Sequence, residues 1–223
     1  MAEPRRLVLA TGNLNKVREL ADRLGDAFVV EPRPDDLPET NEDGATLLDN
    51  ATKKAVEVFV HTGVMAMADD TGLFVEVLDG RPGVRSARFA GPQADDAANR
   101  ARLLAELEPF GDDPLRRRAY FETVIAIVGA DSGHGVAVRG GDRGSAPSHP
   151  EAVRPLIPLI GRARVHGRIV TEPRGDGGFG YDPIFEPDEG QGRTFAEMPL
   201  ADKQAISHRS RALAEARRLL GPG

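Results

Sequence analysis

Ala68-Asp69-Asp70-Thr71-Gly72-Leu73 is the stretch from which the fold is read. The apolar run Val64-Met65-Ala66-Met67-Ala68 ahead of the carboxylates has the length and bounds of a short buried strand. Thr71 and Gly72 then mark a turn, and Leu73-Phe74-Val75-Glu76-Val77 starts a second strand. Adjacent carboxylates at the end of a buried strand are costly unless something positive meets them. A divalent cation is one answer, because hard cations take oxygen ligands. A solvated turn is the other, since Asp, Thr and Gly are ordinary turn formers. On these residues alone both readings stand.

The totals bound what surrounds this stretch. A length of 223 residues fits one large domain or two small lobes around a buried core. With 40% hydrophobic and 29% charged residues the composition is that of an ordinary globular protein. No run of about 18 apolar residues is present, which argues against a helical membrane span. The start, Met1 to Arg6, lacks the apolar core of a secretory signal. The absence of cysteine excludes disulfides and thiolate metal sites and is compatible with a cytoplasmic setting. A formal net charge of −6 argues against a broad surface for nucleic acid polymers. A small phosphorylated ligand held by a few local cations remains compatible with it. Only four of the 29 basic residues are lysine, Lys16, Lys53, Lys54 and Lys203. In a chain that otherwise uses arginine, these are candidates for sites that need a compact ammonium.

Outward from the acidic pair, Leu7-Val8-Leu9-Ala10 reads as a strand and Thr11-Gly12-Asn13-Leu14-Asn15-Lys16 as a polar turn entering a helix. Val17, Leu20, Ala21 and Leu24 recur at helical spacing, and Gly25 is a C-terminal stop. A strand, a Gly-containing turn and a helix N-terminus can present backbone N–H groups to phosphate. The Walker A pattern is absent, because a single glycine precedes Lys16 by four positions. Ala27 to Val30 is a second strand, and Pro32 to Gly44 is an acidic, Pro-rich loop carrying Asp35, Asp36, Glu39, Glu42 and Asp43. Thr46-Leu47-Leu48-Asp49 has the form of a capping box and opens a helix to about Val60, with Leu47, Leu48, Ala51, Ala55, Val58 and Phe59 inward.

Asp79 to Gly91 is a structured loop with several cations, and Asp95 or Asp96 caps a helix to Leu107 with Ala97, Ala101, Leu104 and Leu107 inward. Tyr120 to Val128 is strongly β, paired in a hairpin with Gly133 to Val138. From Gly140 to about Arg164 glycines and prolines break any long element, and strand resumes at Arg168-Ile169-Val170-Thr171. In Gly175 to Pro183, four glycines surround Phe179, Tyr181 and Asp182, which suits a loop whose backbone approaches a planar ligand. An aromatic there can stack on a base; the competing reading puts its aromatics in the core. Ser207 caps a last helix with Ala212, Leu213, Ala216, Leu219 and Leu220 on one side. Lys203, His208 and Arg209 lie at its start, as a solvated basic face or as an anion site.

In this order the motifs resemble the inosine triphosphate pyrophosphatase family, hydrolases of deaminated purine nucleoside triphosphates. The matching pieces are Ala10-Thr11-Gly12-Asn13 with Lys16, Asp49-Asn50-Ala51 with Lys54-Ala55, and Ala68 to Leu73. Further on come Pro82-Gly83 with Ser86-Ala87-Arg88, Glu172-Pro173-Arg174-Gly175 with Gly178-Phe179-Gly180-Tyr181-Asp182-Pro183, and Ile206-Ser207-His208-Arg209. The last two pieces together are specific, and the match spans almost the whole chain.

The resemblance implies an α/β fold: a long twisted mixed sheet flanked by helices, two lobes and a central active-site cleft. It implies that Thr11, Gly12, Asn13, Leu14, Asn15 and Lys16 hold the triphosphate, chiefly through Asn13 and Lys16, with Lys54 as a further phosphate ligand. Asp70 would be both Mg²⁺ ligand and the base that activates water, with Glu42 completing the metal site. Thr71, Phe179, Gly180, Tyr181, Asp182, Lys203, His208 and Arg209 would bind the nucleotide and select its base. A homodimer is expected. Thr71 stands where relatives more often have Ser, and Asp43 where Thr is common. The chain is thus read as a single domain over residues 1–223 with an insertion at about 140–164. The rival functions are a house-cleaning pyrophosphatase of the Maf type and a non-catalytic nucleotide-binding protein.

Overall fold

The computed structural model describes residues 3–129 and 157–220. Among these residues seven strands form one sheet: β1 (Arg5–Leu9), β2 (Phe28–Glu31), β3 (Ala66–Val75), β4 (Pro82–Gly83), β5 (Arg118–Val128), β6 (Leu159–Ile169) and β7 (Phe185–Pro187). The helices are α1 (Leu14–Leu24), α2 (Leu47–Thr62), α3 (Asp96–Leu107), α4 (Leu200–Ile206) and α5 (His208–Leu220). The strand order is β2-β1-β3-β5-β6-β7, with β4 paired to β3. β1 runs parallel to β2 and β3, while β3, β5, β6 and β7 are successively antiparallel. This is the mixed, helix-flanked sheet that the sequence predicts.

β3 corrects the opening expectation. No turn follows the carboxylates: Asp69, Asp70, Thr71 and Gly72 lie inside a single ten-residue strand paired with β5 throughout. Gly72 marks a close approach of backbone instead, for a Cβ there would meet the Gly83 carbonyl oxygen of β4 at 2.7 Å. Strand alternation then sends the two carboxylates to opposite faces of the sheet. Ala66, Ala68 and Asp70 face α2, where Val8, Leu47, Ala51, Ala55 and Val58 form one core. Met67, Asp69 and Thr71 lie on the other face, where Leu7, Leu9, Leu20, Leu24, Ala212, Leu213 and Ala216 pack from β1, α1 and α5. A third core, with Leu73, Val75, Leu103, Leu107, Phe121, Phe185 and Phe195, builds the second lobe around α3 and the β7 edge.

The cleft arises where β3 loses a neighbour. β1 pairs with Ala66 and Met67 and ends, while β4 meets β3 only at Leu73 and Phe74. Between them the edge of β3 from Ala68 to Gly72 has no strand beside it among the described residues, and the acidic pair sits in that gap. One buried edge carbonyl there, that of Asp69, accepts a hydrogen bond from Lys54 Nζ at 2.7 Å.

Other departures have equally local causes. The buried stripe of α3 is Asn99, Leu103 and Leu107, with Ala97 and Ala101 exposed. Asn99 goes inward because its side chain meets Ala90 N at 2.7 Å and Ala87 O at 3.0 Å, a polar stitch no apolar period reveals. Leu48 and Leu219, expected inward, are 41% and 42% exposed. Residues 159–164, read as part of a broken excursion, belong to β6. Gly161 sits in that strand because a Cβ would strike the Ala212 carbonyl of α5 at 2.2 Å, so the glycine lets helix and sheet touch. Residues 140–156 and the hairpin expected at Gly133 to Val138 lie outside the described residues.

Candidate active site

The walls of the gap form a cleft of about 390 Å³. Thr11, Gly12, Asn13, Lys16, Glu42, Lys54, Asp70, Thr71, Phe179, Gly180, Tyr181 and Arg209 line it, so most of the site residues expected from the sequence converge. Asn15, Asp182, Lys203 and His208 are not in the lining. Leu14 and Asn15 open helix α1.

Each group is placed by a short local argument. Asn13 is the N-cap of α1: its Oδ1 accepts from Asn15 N at 3.0 Å and Lys16 N at 3.3 Å. That cap sets the helix start beside β3 and carries Lys16 Nζ to 3.0 Å from Asp69 Oδ2. On α2, Asn50 and Lys54 share the buried stripe one turn apart and reach Asp70 from one side. Asn50 Nδ2 donates to Asp70 Oδ2 at 3.1 Å, and Lys54 Nζ lies 3.2 Å from Asp70 Oδ1 and 2.9 Å from Glu42 Oε1. Arg88 approaches Glu42 from outside, with its guanidinium on the Glu42 carbonyl at 2.8 Å. Lys53, next in sequence to Lys54, points outward to Asp43 at 2.8 Å.

The two carboxylates titrate in opposite directions. Burial pushes the Asp70 carboxyl up, and Glu42 adds to this against the opposing pull of Lys54 and Lys16. Burial also opposes ionisation of Asp69, but Lys16, Arg209 and Lys54 together hold its carboxyl well below the ordinary range. Asp69 Oδ1 nevertheless has no hydrogen-bond partner among the described residues. Burial disfavours the charge of Lys54, yet Asp70, Asp69 and Glu42 raise its pKa. Asp70 and Glu42 therefore converge on one ammonium from a strand and a loop. This oxygen pair suits Mg²⁺, which is commonly held by one or two carboxylates together with substrate phosphates.

The aromatic loop divides its residues between two jobs. Phe179 faces the cleft, with Lys203 Nζ at 5.0 Å and the Arg209 guanidinium at 5.4 Å from its ring centroid. Tyr181 is a core residue, and its hydroxyl donates to Ser86 O at 2.8 Å. Asp182 is buried, accepting from Phe179 N at 2.8 Å and from Lys203 Nζ at 2.8 Å. The basic helix start is neither solvated nor three cations strong. Lys203, His208 and Arg209 are all buried. Burial, reinforced by Arg209 and Lys203, drives the His208 pKa far down, so its imidazole is neutral. His208 Nδ1 meets Thr123 Oγ1 at 2.7 Å, Thr123 meets Thr71 Oγ1 at 2.7 Å, and the imidazole stacks on Phe121 at 4.6 Å.

Several contributors escaped sequence reading. Glu19 bridges Lys203 at 2.9 Å and also pairs with Arg209, but nothing in the local pattern of α1 distinguishes it from a surface glutamate. Thr123 reads as an ordinary β-former. Asn50 had a usable signal, a polar residue interrupting an otherwise apolar helix face. Arg33, Glu39, Thr40, Ser86, Arg88 and Asp96 also line the cleft.

Several known proteins match this chain over almost their full length. A dITP/XTP pyrophosphatase of Geobacter sulfurreducens is 44% identical over 214 residues, covering 94% of this chain and 93% of that protein. One of Mycobacterium tuberculosis is 43% identical over 224 residues, covering 96% and 94%. The solved structure of a HAM1 protein from Coxiella burnetii superposes with a TM-score of 0.77 at 35% identity, covering 97% of this chain and 98% of that one. The model of the Ham1 family matches residues 7–219. With that span and these identities, the chain belongs to the Ham1 family.

Proposed function

We propose that this chain hydrolyses deaminated purine nucleoside triphosphates, ITP, dITP and XTP, to the monophosphate and pyrophosphate, clearing them from the nucleotide pool. The observation that carries the reading is Asp70: a buried carboxylate with a raised pKa, in the wall of a cleft that also gathers Lys16, Lys54 and Phe179. In the reaction, water attacks the α-phosphorus and the bond to the bridging α–β oxygen breaks. Asp70 accepts the proton of the water, and its raised pKa brings it closer to the pH at which a general base works best. Lys16 and Lys54 neutralise charge that gathers on the leaving pyrophosphate. Asn50 and Lys54 fix the orientation of the Asp70 carboxylate. Asp70 and Glu42 would hold Mg²⁺, which when bound supplies charge neutralisation on the phosphates and a more acidic water.

Base choice rests on the other wall. Phe179 offers a stacking face, and Thr71 and Arg209 lie beside it. The buried Lys203, Asp182 and His208 form the layer behind. A site that hydrogen-bonds the six-oxo group and N1–H of hypoxanthine or xanthine would reject adenine, whose approach leaves polar groups unpaired. A homodimer, a cytoplasmic setting and one domain with an insertion at about 140–164 belong to the same reading. They rest on the family resemblance, the absence of cysteine and the glycine and proline density of that segment.

One assay tests the reaction: purified protein, Mg²⁺, a panel of nucleoside triphosphates, and separate detection of pyrophosphate and orthophosphate. Pyrophosphate from ITP, dITP and XTP, with slow turnover of ATP, is expected. Orthophosphate as the product, or dTTP or UTP turned over far faster than ITP, overturns it.

A further inference from the structure

Gly180, in the aromatic loop of the cleft, has φ +61°, and no described residue lies within 4 Å of where a Cβ would stand. Its two backbone polar groups are held by two charged side chains of α3. Gly180 N donates to Asp96 Oδ2 at 2.7 Å, and Arg100 Nη1 donates to Gly180 O at 2.7 Å. Asp96 and Arg100 are four residues apart, which puts them on one helix face and lets one helix grip both polar groups of one loop residue. Each contact is a charge-assisted hydrogen bond, the stronger kind.

The same helix holds the facing wall. Asn99 fixes Ala87 and Ala90 by its two side-chain hydrogen bonds, and Ala87 lines the cleft. Helix α3 is thus the common bracket of two loops more than eighty residues apart in sequence.

We propose that Asp96 and Arg100 are positioning residues for base recognition: they clamp Gly180, and through it set the Phe179 ring against the purine. The inference rests on the reading of Phe179 as the stacking face of the proposed reaction. The clamp acts on where the base lies and leaves the reacting phosphorus, on the opposite side of the cleft, untouched. Losing it therefore weakens binding and base discrimination more than turnover.

Steady-state kinetics with ITP and ATP test this on Asp96→Ala, Arg100→Ala, Asp96→Asn and Arg100→Lys, with thermal unfolding recorded for each. Either alanine variant is expected to raise KM for ITP about tenfold, the scale of a hydrogen bond to a charged group. The kcat should stay within about twofold, and the preference for ITP over ATP should narrow. Asp96→Asn keeps an acceptor and Arg100→Lys keeps a donor, so both should recover most of the wild-type KM. A fall in kcat at unchanged KM, no change at all, or conservative variants as poor as alanine overturns the clamp. So does an effect of Asp96→Ala without one of Arg100→Ala, which would mark Asp96 as a direct ligand contact, since Arg100 is not in the lining. If wild type releases no pyrophosphate from ITP, the reaction reading falls separately. The clamp is then judged by calorimetric Kd for ITP with the same order of variants, and absence of ITP binding overturns it too.

Discussion

On the α1 and α5 side of β3, charges alternate: Lys16, Asp69, Arg209, Glu19, Lys203 and Asp182, each within salt-bridge distance of the next. On the α2 side, one strand position later, Asp70 and Glu42 converge on the buried ammonium of Lys54, and the more exposed Arg88 pairs with Glu42. The first face is matched, cation for anion; Asp69 at its centre is held ionised, while burial pushes the carboxyl of Asp182 at its far end up against the pull of Lys203. The second is short of positive charge, and its carboxylate Asp70 has a raised pKa. Both residues are aspartates in the same strand, buried to similar degree. The pleat sends one into the series of paired charges and the other to the Lys54 side of the sheet.

The scaffold side should break hardest. Asp69→Asn leaves Arg209, buried to 4% exposure, with Glu19 as its remaining carboxylate and releases Lys16 from its anchor. Removing one member of a buried ion pair costs about 3–5 kcal/mol, because the partner charge is left uncompensated. Urea denaturation at neutral pH should show a loss in that range. A loss below about 1 kcal/mol would mean that the alternating series does not need its central anion.

Asp70→Asn should invert that result. A folded-state pKa above the unfolded value means the group favours folding below the unfolded pKa and loses that contribution as pH rises through the folded one. At pH 7 the ionised Asp70 therefore weakens the fold, and an amide of the same shape removes the burden. We expect a thermal midpoint at or above wild type, measured without added divalent cation. The kcat for ITP should fall by at least about two orders of magnitude, the scale of a lost general base. A variant that unfolds earlier, or retains more than about a tenth of wild-type turnover, would erase the contrast between the faces.

The sequence revealed the parts of this contrast but not their division. Asp69-Asp70 stood out, Lys16, Lys54 and Lys203 stood out by rarity, and the resemblance gathered them in one site. What hid the two faces was Gly72: the stretch reads as a turn, whereas the close passage of Gly83 makes it strand. A turn would have left both carboxylates on one solvated corner. Gly161 misled in the same way, since a glycine needed for α5 to touch β6 looks like a breaker of structure. Glu19 was illegible for another reason. Its partners Lys203 and Arg209 come from the far end of the chain, and only the packing of α1 against α5 brings them together. Phe179 and Tyr181 show the limit at residue scale: both border the cleft, but Tyr181 is also packed into the core.

The smallest expected effect belongs to His208, at the border of the matched face. Its imidazole is buried between Thr123 and Phe121 and next to Arg209, so the folded protein binds no proton there until well below the unfolded pKa. The unfolded chain does bind one, starting near pH 6.5. A depressed folded pKa gives stability that is present above the unfolded value and lost as pH falls toward the folded one. This one site should therefore remove about 1.4 kcal/mol of unfolding free energy between pH 7.5 and 5.5. His208→Asn keeps a polar group near the Nδ1 position for Thr123 but cannot titrate. Its urea-derived stability is expected to be lower than wild type at pH 7.5, with the gap shrinking by that amount at pH 5.5. Parallel pH dependences for the two proteins would show that His208 accepts a proton in the folded state. The matched face would then carry an extra positive charge in acid, and Arg209 beside it would be the first contact to feel it.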